Sequence, residues 1–590
     1  MNVLWLLIPA IAILILASRT YAVHLERVFG IDDNRPTPAA LHDDNRDLVH
    51  TRMDIVFANH FAAIAGSGPI VGPVMALVYG YFPVWAWVII GGIFLGAVHD
   101  FGSLFASVRE GAKSIPVIAR KTLGRGAYVL FILFFLMMII LVTSAFLNLS
   151  ATALTSKYSL ADLQLSPDQT LLRTIRTPSG ETWGIIGGIA STSVLVITFL
   201  AIPLGWMHRH KILRPLWIYL LGTAICVFSI VAGFTFPVRL SENAWRWTLG
   251  LYTLIAAGLP LWLILQPRDV INVQILYGGM LLLFASLIGA GVNGLSLKHE
   301  ALSVGFGIEK IGMVWPFLFI TVACGAISGF HCMVAGGTTS KQLARESDAR
   351  RIAYNAMLLE SLLAILVTLA LASSLEMTKY RSIVWPTLEE VARGAKSNPI
   401  FAFALAAGNL FHNTFRIPLA IGCVFGILTV EGFIITTLDM AVRLNRYLFE
   451  ELWDVLFGGK APAYMKHYWF NAGLSVALML LFAMKIKLVL QWLLFGTANQ
   501  LVSALALIVI TAWLLSHGRR FLYTLIPTIL MLATTMTALL LEVFGTYPPG
   551  QTKNALYEGS AIFMAILAAG VIVVTIRMFL FHPRQLVPKK

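Results

Sequence analysis

The stretch NHFAAIAGSGPIVGP, residues 59–73, lies in one of the most apolar parts of the chain and carries three glycines and two prolines. Proline lacks a backbone N–H and clashes with the preceding helical turn, so we expect the helix to stop at Gly66–Pro69. Backbone groups freed by such a break need partners inside a membrane. A simple kink for close packing is the alternative, although one proline would suffice for a kink. The cluster of helix breakers around Ser67 therefore predicts a binding site at a broken transmembrane helix.

The composition is that of an integral membrane protein. Of the 590 residues, 58% are hydrophobic and 12% are charged, which is about half the charged fraction of an ordinary soluble domain. The apolar runs predict an all-α polytopic fold with about fifteen transmembrane helices. The predicted spans are 3–19, 54–80, 82–107, 127–154, 183–204, 212–236, 247–265, 271–292, 313–334, 352–374, 417–440, 467–484, 487–514, 520–542 and 558–580. The apolar stretch 399–411 is too short to cross and is interpreted as a re-entrant or surface helix.

The positive charge indicates how the chain lies in the membrane. The formal net charge is +14, but the basic residues are scattered through short loops, which favours a role in topology over nucleic-acid binding. If the N-terminus is outside, the predicted cytoplasmic loops hold most of the 43 Lys and Arg residues and the C-terminus is cytoplasmic. Residues 1–19 are interpreted as a retained first span, because Arg19 follows the apolar run and no clear signal-peptide cleavage site appears. The four cysteines lack disulfide or zinc spacing, so no metal site is expected.

Ionisable residues inside apolar spans are costly and need a reason. In GAVHDFGSLFASVRE (96–110), His99 and Asp100 are adjacent, and Asp100 shares a helix face with Ser103. A carboxylate here could carry a proton or hold a cation. Alternatively, the pair is interfacial and forms a salt bridge with Arg109 or a neighbouring helix.

A second polar segment is TVACGAISGFHCMVAGGTTSKQ, residues 321–342. Its small residues allow close helix packing, which explains the glycines but not His331. Ser328 and His331 lie three residues apart on one helix face. His331 is therefore either a packing residue or a ligand.

Further polar residues lie near Pro260 and Pro267, in LPLWLILQPRDVIN (259–272). This segment is an ordinary cytoplasmic turn or one end of a broken helix, and it carries Gln266. Among the single acids, Asp439 is expected to pair with Arg443 one turn away.

Two other acids, Glu360 and Glu431, also lie in apolar runs. Unlike Asp439, Glu431 has no basic residue one turn away in the sequence, so it is a better candidate than Asp439 for carrying a proton. Asn499 and Gln500 add a polar pair between two apolar runs. No Walker loop, GxSxG, HExxH or CxxC motif appears, so neither direct ATP hydrolysis nor a familiar enzyme reaction is indicated.

Taken together, several motifs resemble one known family. The chain resembles the carbon starvation protein A family in a set of motifs that follow that family's order. They are FANHFAAIAGSGPIVGPV, GAVHDF, ILQPRD, ACGAISGFH, GGTTSKQ, LLES, TTLDMAVRLNRYL and LFGTANQL. They extend from about residue 50 to about residue 505. The chain is similar to the shorter form of the family and departs from it at His99, where the family motif has Gln.

The resemblance implies a bacterial inner-membrane secondary transporter with a LeuT-like core of two inverted five-helix repeats, discontinuous helices and additional peripheral helices. On this basis, residues 1–53 hold the first transmembrane helix and a cytoplasmic loop. Residues 54–246 and 247–445 form the two repeats, and 446–590 form peripheral helices. This division rests on analogy with the family fold.

The leading hypothesis is a symporter, driven by H⁺ or Na⁺ and without another cofactor, that imports pyruvate or a short peptide under carbon starvation. A channel-like facilitator and a membrane nutrient sensor are the alternatives, and a homo-oligomer is possible. The predicted substrate contacts are His60, Gly66, Ser67, Gly68, Gln266, Ser328 and His331. The predicted ion-coupling residues are His99, Asp100, Thr321, Ser328 and Glu431.

Overall fold

The computed structural model describes residues 1–581 except 42–47, 162, 164, 167–168, 170–171, 177–179, 211, 213, 261–262, 393–394 and 546–553. The basic C-terminal tail at 582–590, predicted to be cytoplasmic, lies outside the described residues.

Helices form most of the described structure. The first part contains α1 (Leu4–Arg19), α2 (Tyr21–Phe29), α3 (Pro38–Leu41), α4 (Met53–Ile64), α5 (Gly68–Ala76), α6 (Tyr81–Gly91), α7 (Ala97–Arg109), α8 (Ile115–Thr122) and α9 (Arg125–Leu154). The middle part contains α10 (Gly187–Arg209), α11 (Pro215–Thr235), α12 (Glu242–Gly258), α13 (Leu265–Val292), α14 (Val304–Lys310), α15 (Val314–Thr321), α16 (Phe330–Gly337), α17 (Asn355–Ser374), α18 (Met377–Val384), α19 (Leu388–Ala392) and α20 (Pro399–Phe415). The last part contains α21 (Leu419–Leu456), α22 (Tyr468–Lys485), α23 (Leu488–Ser516), α24 (Leu522–Phe544) and α25 (Ala555–Phe581).

The described residues contain 12 helices long and apolar enough to cross a membrane, or up to 14 if two bent helix pairs each count as one span. This supports a multi-pass membrane protein, but the predicted count of about fifteen is not confirmed. The remaining predicted span, 247–265, corresponds to α12, which has 17 residues. That is at the lower limit of what a bilayer requires.

A small sheet interrupts the predicted all-α fold between α9 and α10. Strands β1 (Lys157–Ser159), β2 (Thr174–Arg176) and β3 (Thr182–Ile185) pair antiparallel in the order β1-β3-β2. Tyr158 faces Gly184, and Ile175 faces Trp183. Strands of three or four residues are too short to show a clear alternation of polar and apolar side chains, so the sequence analysis missed them.

The stretch 399–411, predicted to be re-entrant or a surface helix, belongs to the buried helix α20. The surface interpretation is therefore wrong. Glycines explain the close packing of α20 on α21: a Cβ on Gly422 would lie 2.8 Å from the Cα of Gly408, and one on Gly426 would lie 2.8 Å from the Cα of Ala404. Small residues at a helix interface allow two backbones to approach in this way.

The helices differ greatly in how deeply they are buried. The most apolar 18-residue window of α23 is 100% buried and that of α17 is 89% buried, against 33% for α25. Helix α23 falls within residues 446–590, for which a peripheral position was predicted, yet protein surrounds it on all sides. The candidate site lies among these central helices.

Candidate functional site

The predicted break in the membrane span 54–80 is present. Helix α4 ends at Ile64, α5 begins at Gly68, and the two halves meet at 43°. Ser67 is fully buried, and its hydroxyl has no hydrogen-bond partner in the described structure. A Cβ on Gly68 would lie 2.5 Å from the Cβ of Cys324, so the break packs directly against a second part of the chain.

That second part is also broken, whereas the sequence predicted one continuous span at 313–334. Helix α15 ends at Thr321, α16 begins at Phe330, and the residues between them are not helical. Indole N–H groups satisfy two of the freed carbonyls, because Trp492 donates to Thr321 O and Trp87 donates to Val322 O, each at 3.1 Å. Ser361 Oγ donates to Gly325 O at 3.0 Å. These partners come from other helices, so the local sequence could not reveal that a break here is tolerated.

Asn499 of α23 holds the end of the second break. Its side-chain oxygen accepts a hydrogen bond from Phe330 N at 3.1 Å, and its backbone oxygen accepts one from Gly329 N at 3.1 Å. Its amide nitrogen donates to Ser328 Oγ at 3.1 Å. The sequence marked Asn499 only as a polar residue between apolar runs.

The two breaks share a small cavity, here called the inner cavity, of about 20 Å³. The inner cavity is lined by Gly66, Gly68, Cys324, Ser328 and Thr437. Its apolar wall consists of Ala63, Ile64, Met138, Val142, Phe146, Phe330 and Phe495. The predicted residues Gly66, Gly68 and Ser328 therefore come together, with Ser67 buried between the two glycines in sequence.

A chain of four buried ionisable side chains, here called the buried relay, lies beside the second break. His99 Nδ1 is 2.8 Å from Asp100 Oδ1, and His331 Nδ1 is 2.7 Å from Asp100 Oδ2. His331 Nε2 is 3.2 Å from Glu360 Oε2. The four side chains are at most 1% exposed. His331 thus connects two carboxylates that lie on different helices, α7 and α17.

The surroundings of the buried relay explain how these helices come so close. A π-helical turn at Gly92–Gly96 precedes Asp100, and a Cβ on Gly96 would collide with the carbonyl of Ala326 in the second break. Turns of this kind often mark functional positions. On the other side, His60 Nδ1 is 2.8 Å from Thr339 Oγ1, and His60 Nε2 is buried without a hydrogen-bond partner in the described structure.

Arg109 does not pair with Asp100. Its guanidinium contacts Glu346 at 2.5 Å and donates to the carbonyl of Gly30 at 2.9 Å. The expected partner Arg109 is therefore wrong, whereas the other expected partner, a neighbouring helix, is present, because His331 of α16 lies 2.7 Å from Asp100. The carboxylate is held by two histidines instead.

Three predicted site residues lie elsewhere. Gln266 is exposed at the start of α13. The Thr321 hydroxyl donates to Phe317 O at 2.7 Å, so it belongs to the end of α15. Glu431 is fully buried but accepts a hydrogen bond from Ser150 Oγ at 2.6 Å, in a separate contact between α21 and α9.

The expected pair between Asp439 and Arg443 is also wrong. Asp439 Oδ2 is 3.3 Å from Arg268 Nη1 and accepts a hydrogen bond from the Tyr252 hydroxyl at 2.7 Å. Arg443 donates instead to the carbonyl of Leu259 at 2.6 Å. Spacing along one helix could not reveal a partner on α13.

Sequence reasoning missed the tryptophans and Ser361 that hold the second break, and it did not place Glu360. One signal was available, because an indole N–H inside an apolar span needs an acceptor. In the described part of the chain, no group of three or more His, Cys, Asp or Glu side chains is arranged to hold a metal ion.

Comparison with known proteins identifies relatives. The family model described as carbon starvation protein CstA matches residues 2–392 and 384–538. The chain is 30% identical to the peptide transporter CstA of Bacillus subtilis (strain 168), over 98% of this chain and 97% of the relative. It is 29% identical to the pyruvate/proton symporter BtsT of Escherichia coli (strain K12), over 95% and 84%. Among solved structures, a manganese transporter of Eremococcus coleocola matches over 91% of this chain and 99% of that chain, with a TM-score of 0.39 and 10% identity.

Proposed function

For this chain, which belongs to the carbon starvation protein CstA family, we propose secondary active import of a small carboxylate-bearing carbon source, pyruvate or a short peptide, together with protons. The relatives named above are a peptide transporter and a pyruvate/proton symporter. The proposed activity is transport and not catalysis.

One observation carries this proposal: a single segment connects the inner cavity with the buried relay. Ser328 and Phe330 line the inner cavity, and the next residue, His331, lies between Asp100 and Glu360. A change in the second break on substrate binding would therefore move His331 relative to its two carboxylates. Such a connection is what coupling between a substrate and a proton requires.

The first break supplies groups suited to a carboxylate. The N-terminus of α5 begins at Gly68. Pro69 has no N–H, and the N–H groups of Ile70 and Val71 donate to Ser67 O at 3.1 and 2.8 Å. The Ser67 hydroxyl, which has no partner in the described structure, and the positive end of the helix dipole therefore remain to favour an anion. The Ser328 hydroxyl lies on the opposite wall.

The inner cavity, at about 20 Å³, has room for roughly one water molecule. Pyruvate and peptides are larger, so the two broken helices must move apart when substrate binds. Such a movement agrees with alternating access, in which one part of a transporter moves against another around a fixed site.

The buried relay is suited to protons. His331 Nδ1 is 2.7 Å from Asp100, and its Nε2 lies 3.2 Å from Glu360 without a hydrogen bond in the described structure, so a proton added to this group changes the charge balance of a buried site. The negative charge of an arriving substrate would favour protonation nearby. We propose H⁺ as the coupling ion, with Na⁺ as the alternative that the experiment below tests.

The wider predictions remain part of the proposal. We place the protein in the bacterial inner membrane with its N-terminus outside, because most Lys and Arg residues lie in the loops that would then be cytoplasmic. The two inverted repeats, at 54–246 and 247–445, stay a proposal by analogy with the family fold; a discontinuous helix at 53–79 begins the first of them, and the break between Thr321 and Phe330 lies inside the second.

The test is uptake of labelled pyruvate and of dialanine by proteoliposomes with an imposed inward gradient of protons or of Na⁺. We expect accumulation above equilibrium with a proton gradient. Asp100→Asn should abolish this accumulation while exchange of labelled for unlabelled substrate continues, because exchange needs no net proton movement.

Glu542→Gln is the matched control. Glu542 is another buried acid, on the more exposed helix α24, and it accepts a hydrogen bond from Thr497 Oγ1 at 2.8 Å. Its change to glutamine replaces a buried carboxylate by an amide, as Asp100→Asn does. Accumulation should survive in this variant. Uptake that ignores both gradients would make the protein a facilitator and refute the coupling.

A further inference from the structure

A second, much larger cavity lies on the side of the protein away from the predicted cytoplasmic loops. This outer cavity has a volume of about 870 Å³, within the usual range of small-molecule sites. Its walls come from the C-terminal end of α9, the N-terminal end of α12, helix α14, residues within 384–391 and 395–397, and the connection between α22 and α23.

The charges in the outer cavity favour an anion. Arg246 Nη2 lies 3.6 Å from Glu242, and Lys396 forms an ion pair with the same carboxylate. Thr152 Oγ1 also donates to Glu242, at 3.0 Å. Over the whole lining, five cations (Arg246, Lys310, Lys396, Lys485 and Lys487) face three acids (Glu242, Glu309 and Glu389), so the outer cavity carries an excess of two positive charges. A carboxylate is the ligand that would restore the balance, and an arginine fork suits its geometry.

Two helices connect the outer cavity with the inner one. On α9, Phe146 lines the inner cavity and Thr152 the outer; on α23, Phe495 lines the inner and Val489 the outer. The nearest lining residues are Phe146 and Asn148 on α9, two residues apart, and Phe495 and Val489 on α23, six residues apart, so the cavities are separated by roughly 3 Å along α9 and roughly 9 Å along α23.

The region between the cavities is closed by two contacts across α9 and α23. The rings of Phe146 and Phe495 meet edge to face with centroids 6.0 Å apart. One turn nearer the outer cavity, Asn148 Nδ2 donates to Gln491 Oε1 at 2.8 Å. Arg246 Nε donates to Asn148 Oδ1 at 2.7 Å, so the same guanidinium touches both the outer cavity and this contact.

We propose that the outer cavity is a capture site for the carboxylate of the incoming substrate, with Arg246 and Lys396 as its cationic contacts. This rests on the proposed function, and it adds a second binding position before the inner cavity. A carboxylate held by Arg246 competes with Asn148 Oδ1 for the guanidinium. Binding therefore loosens the contact between Asn148 and Gln491 that closes the way inward.

The test measures occupancy of the outer cavity without requiring transport. Lys485→Cys places a thiol on the cavity wall and leaves both proposed contacts intact. A negatively charged methanethiosulfonate is added from outside to proteoliposomes, and the rate of thiol modification is measured with and without pyruvate or dialanine. We expect at least one of the two probes to slow modification several-fold, and Arg246→Gln in the same chain to remove that protection.

The matched control is Lys298→Cys, since Lys298 lies on the same predicted face, pairs with Glu376 at 2.6 Å and is not part of the cavity wall. Its modification should not respond to either probe, and the wild-type chain reports any reaction of the four native thiols. If Lys485→Cys fails to fold, Met484→Cys serves as the reporter, because Met484 also lines the outer cavity, is 40% exposed and is not one of the proposed contacts.

Protection by neither probe overturns the capture site, whether or not uptake is observed. Equal protection at Lys298→Cys, or protection that survives Arg246→Gln, also overturns it. Protection that persists in an Asp100→Asn background, where accumulation is lost, would support the capture site. If uptake is absent but substrate still protects Lys485→Cys from modification, the proposed transport is contradicted and the capture site is supported.

Discussion

The two glycines of the first break should respond very differently to the same added methyl group. A Cβ on Gly68 would lie 2.5 Å from the Cβ of Cys324, whereas one on Gly66 would have no neighbour nearer than Thr437 Oγ1 at 3.7 Å. Carbon atoms prefer a separation of about 3.5–4.0 Å, so Gly68→Ala requires the two breaks to separate by about 1 Å. Overpacking of this kind typically costs about 1–3 kcal/mol.

Both substitutions remove the same backbone freedom from the unfolded chain, so their difference isolates the clash. We expect Gly66→Ala to keep the apparent melting temperature of the purified protein in detergent, and Gly68→Ala to lower it and to reduce uptake. Adding Cys324→Gly to Gly68→Ala removes the colliding side chain and should restore part of both. Equal melting temperatures for the two alanine variants, or no rescue by Cys324→Gly, would show that the breaks do not pack as described.

Three further predictions concern groups away from the breaks. Arg268→Gln leaves the carboxylate of Asp439 without its cation and should lower the free energy of unfolding by about 3–5 kcal/mol. Adding Asp439→Asn removes the unpaired charge and should recover part of that loss in the same melting assay. Glu431→Gln keeps an acceptor for Ser150, so we expect normal folding, and proton-driven accumulation measured in proteoliposomes should persist because Glu431 lies outside the buried relay. Burial lowers the pKa of His299, in the loop after α13, from 6.5 to about 4. The contribution of this neutral imidazole to stability is therefore full above pH 6.5 and is lost as the pH falls through 4. Melting curves from about pH 7 to 4 should show a smaller fall in melting temperature for His299→Gln than for the wild type.

The sequence predicted the first break because its cause is local. Proline has no backbone N–H to donate, and a cluster of prolines and glycines stops a helix whatever surrounds it. Trp87 and Trp492 show the opposite case, since the second break depends on indole donors from two other helices. A continuous span at 313–334 was therefore the natural expectation from hydropathy alone.

The sequence by itself determined that the chain is a helical membrane protein, that the span at 54–80 breaks near Ser67, and which ionisable residues lie in apolar spans. It also carried the family resemblance. These properties follow from composition, hydropathy and backbone chemistry, each of which can be evaluated within a short window of the chain.

Only the tertiary structure decided which of those residues act together. Helical periodicity identifies neighbours three or four residues apart, so it suggested Arg443 for Asp439. For Asp100, the sequence offered Arg109, nine residues further along the same segment, or an unnamed neighbouring helix. The actual partner of Asp100 is His331, which is 231 positions away, and that of Asp439 is Arg268, which is 171 positions away. A buried charge takes whichever partner the packing of the helices brings within hydrogen-bond distance, because leaving it unpaired costs more than any local preference can recover.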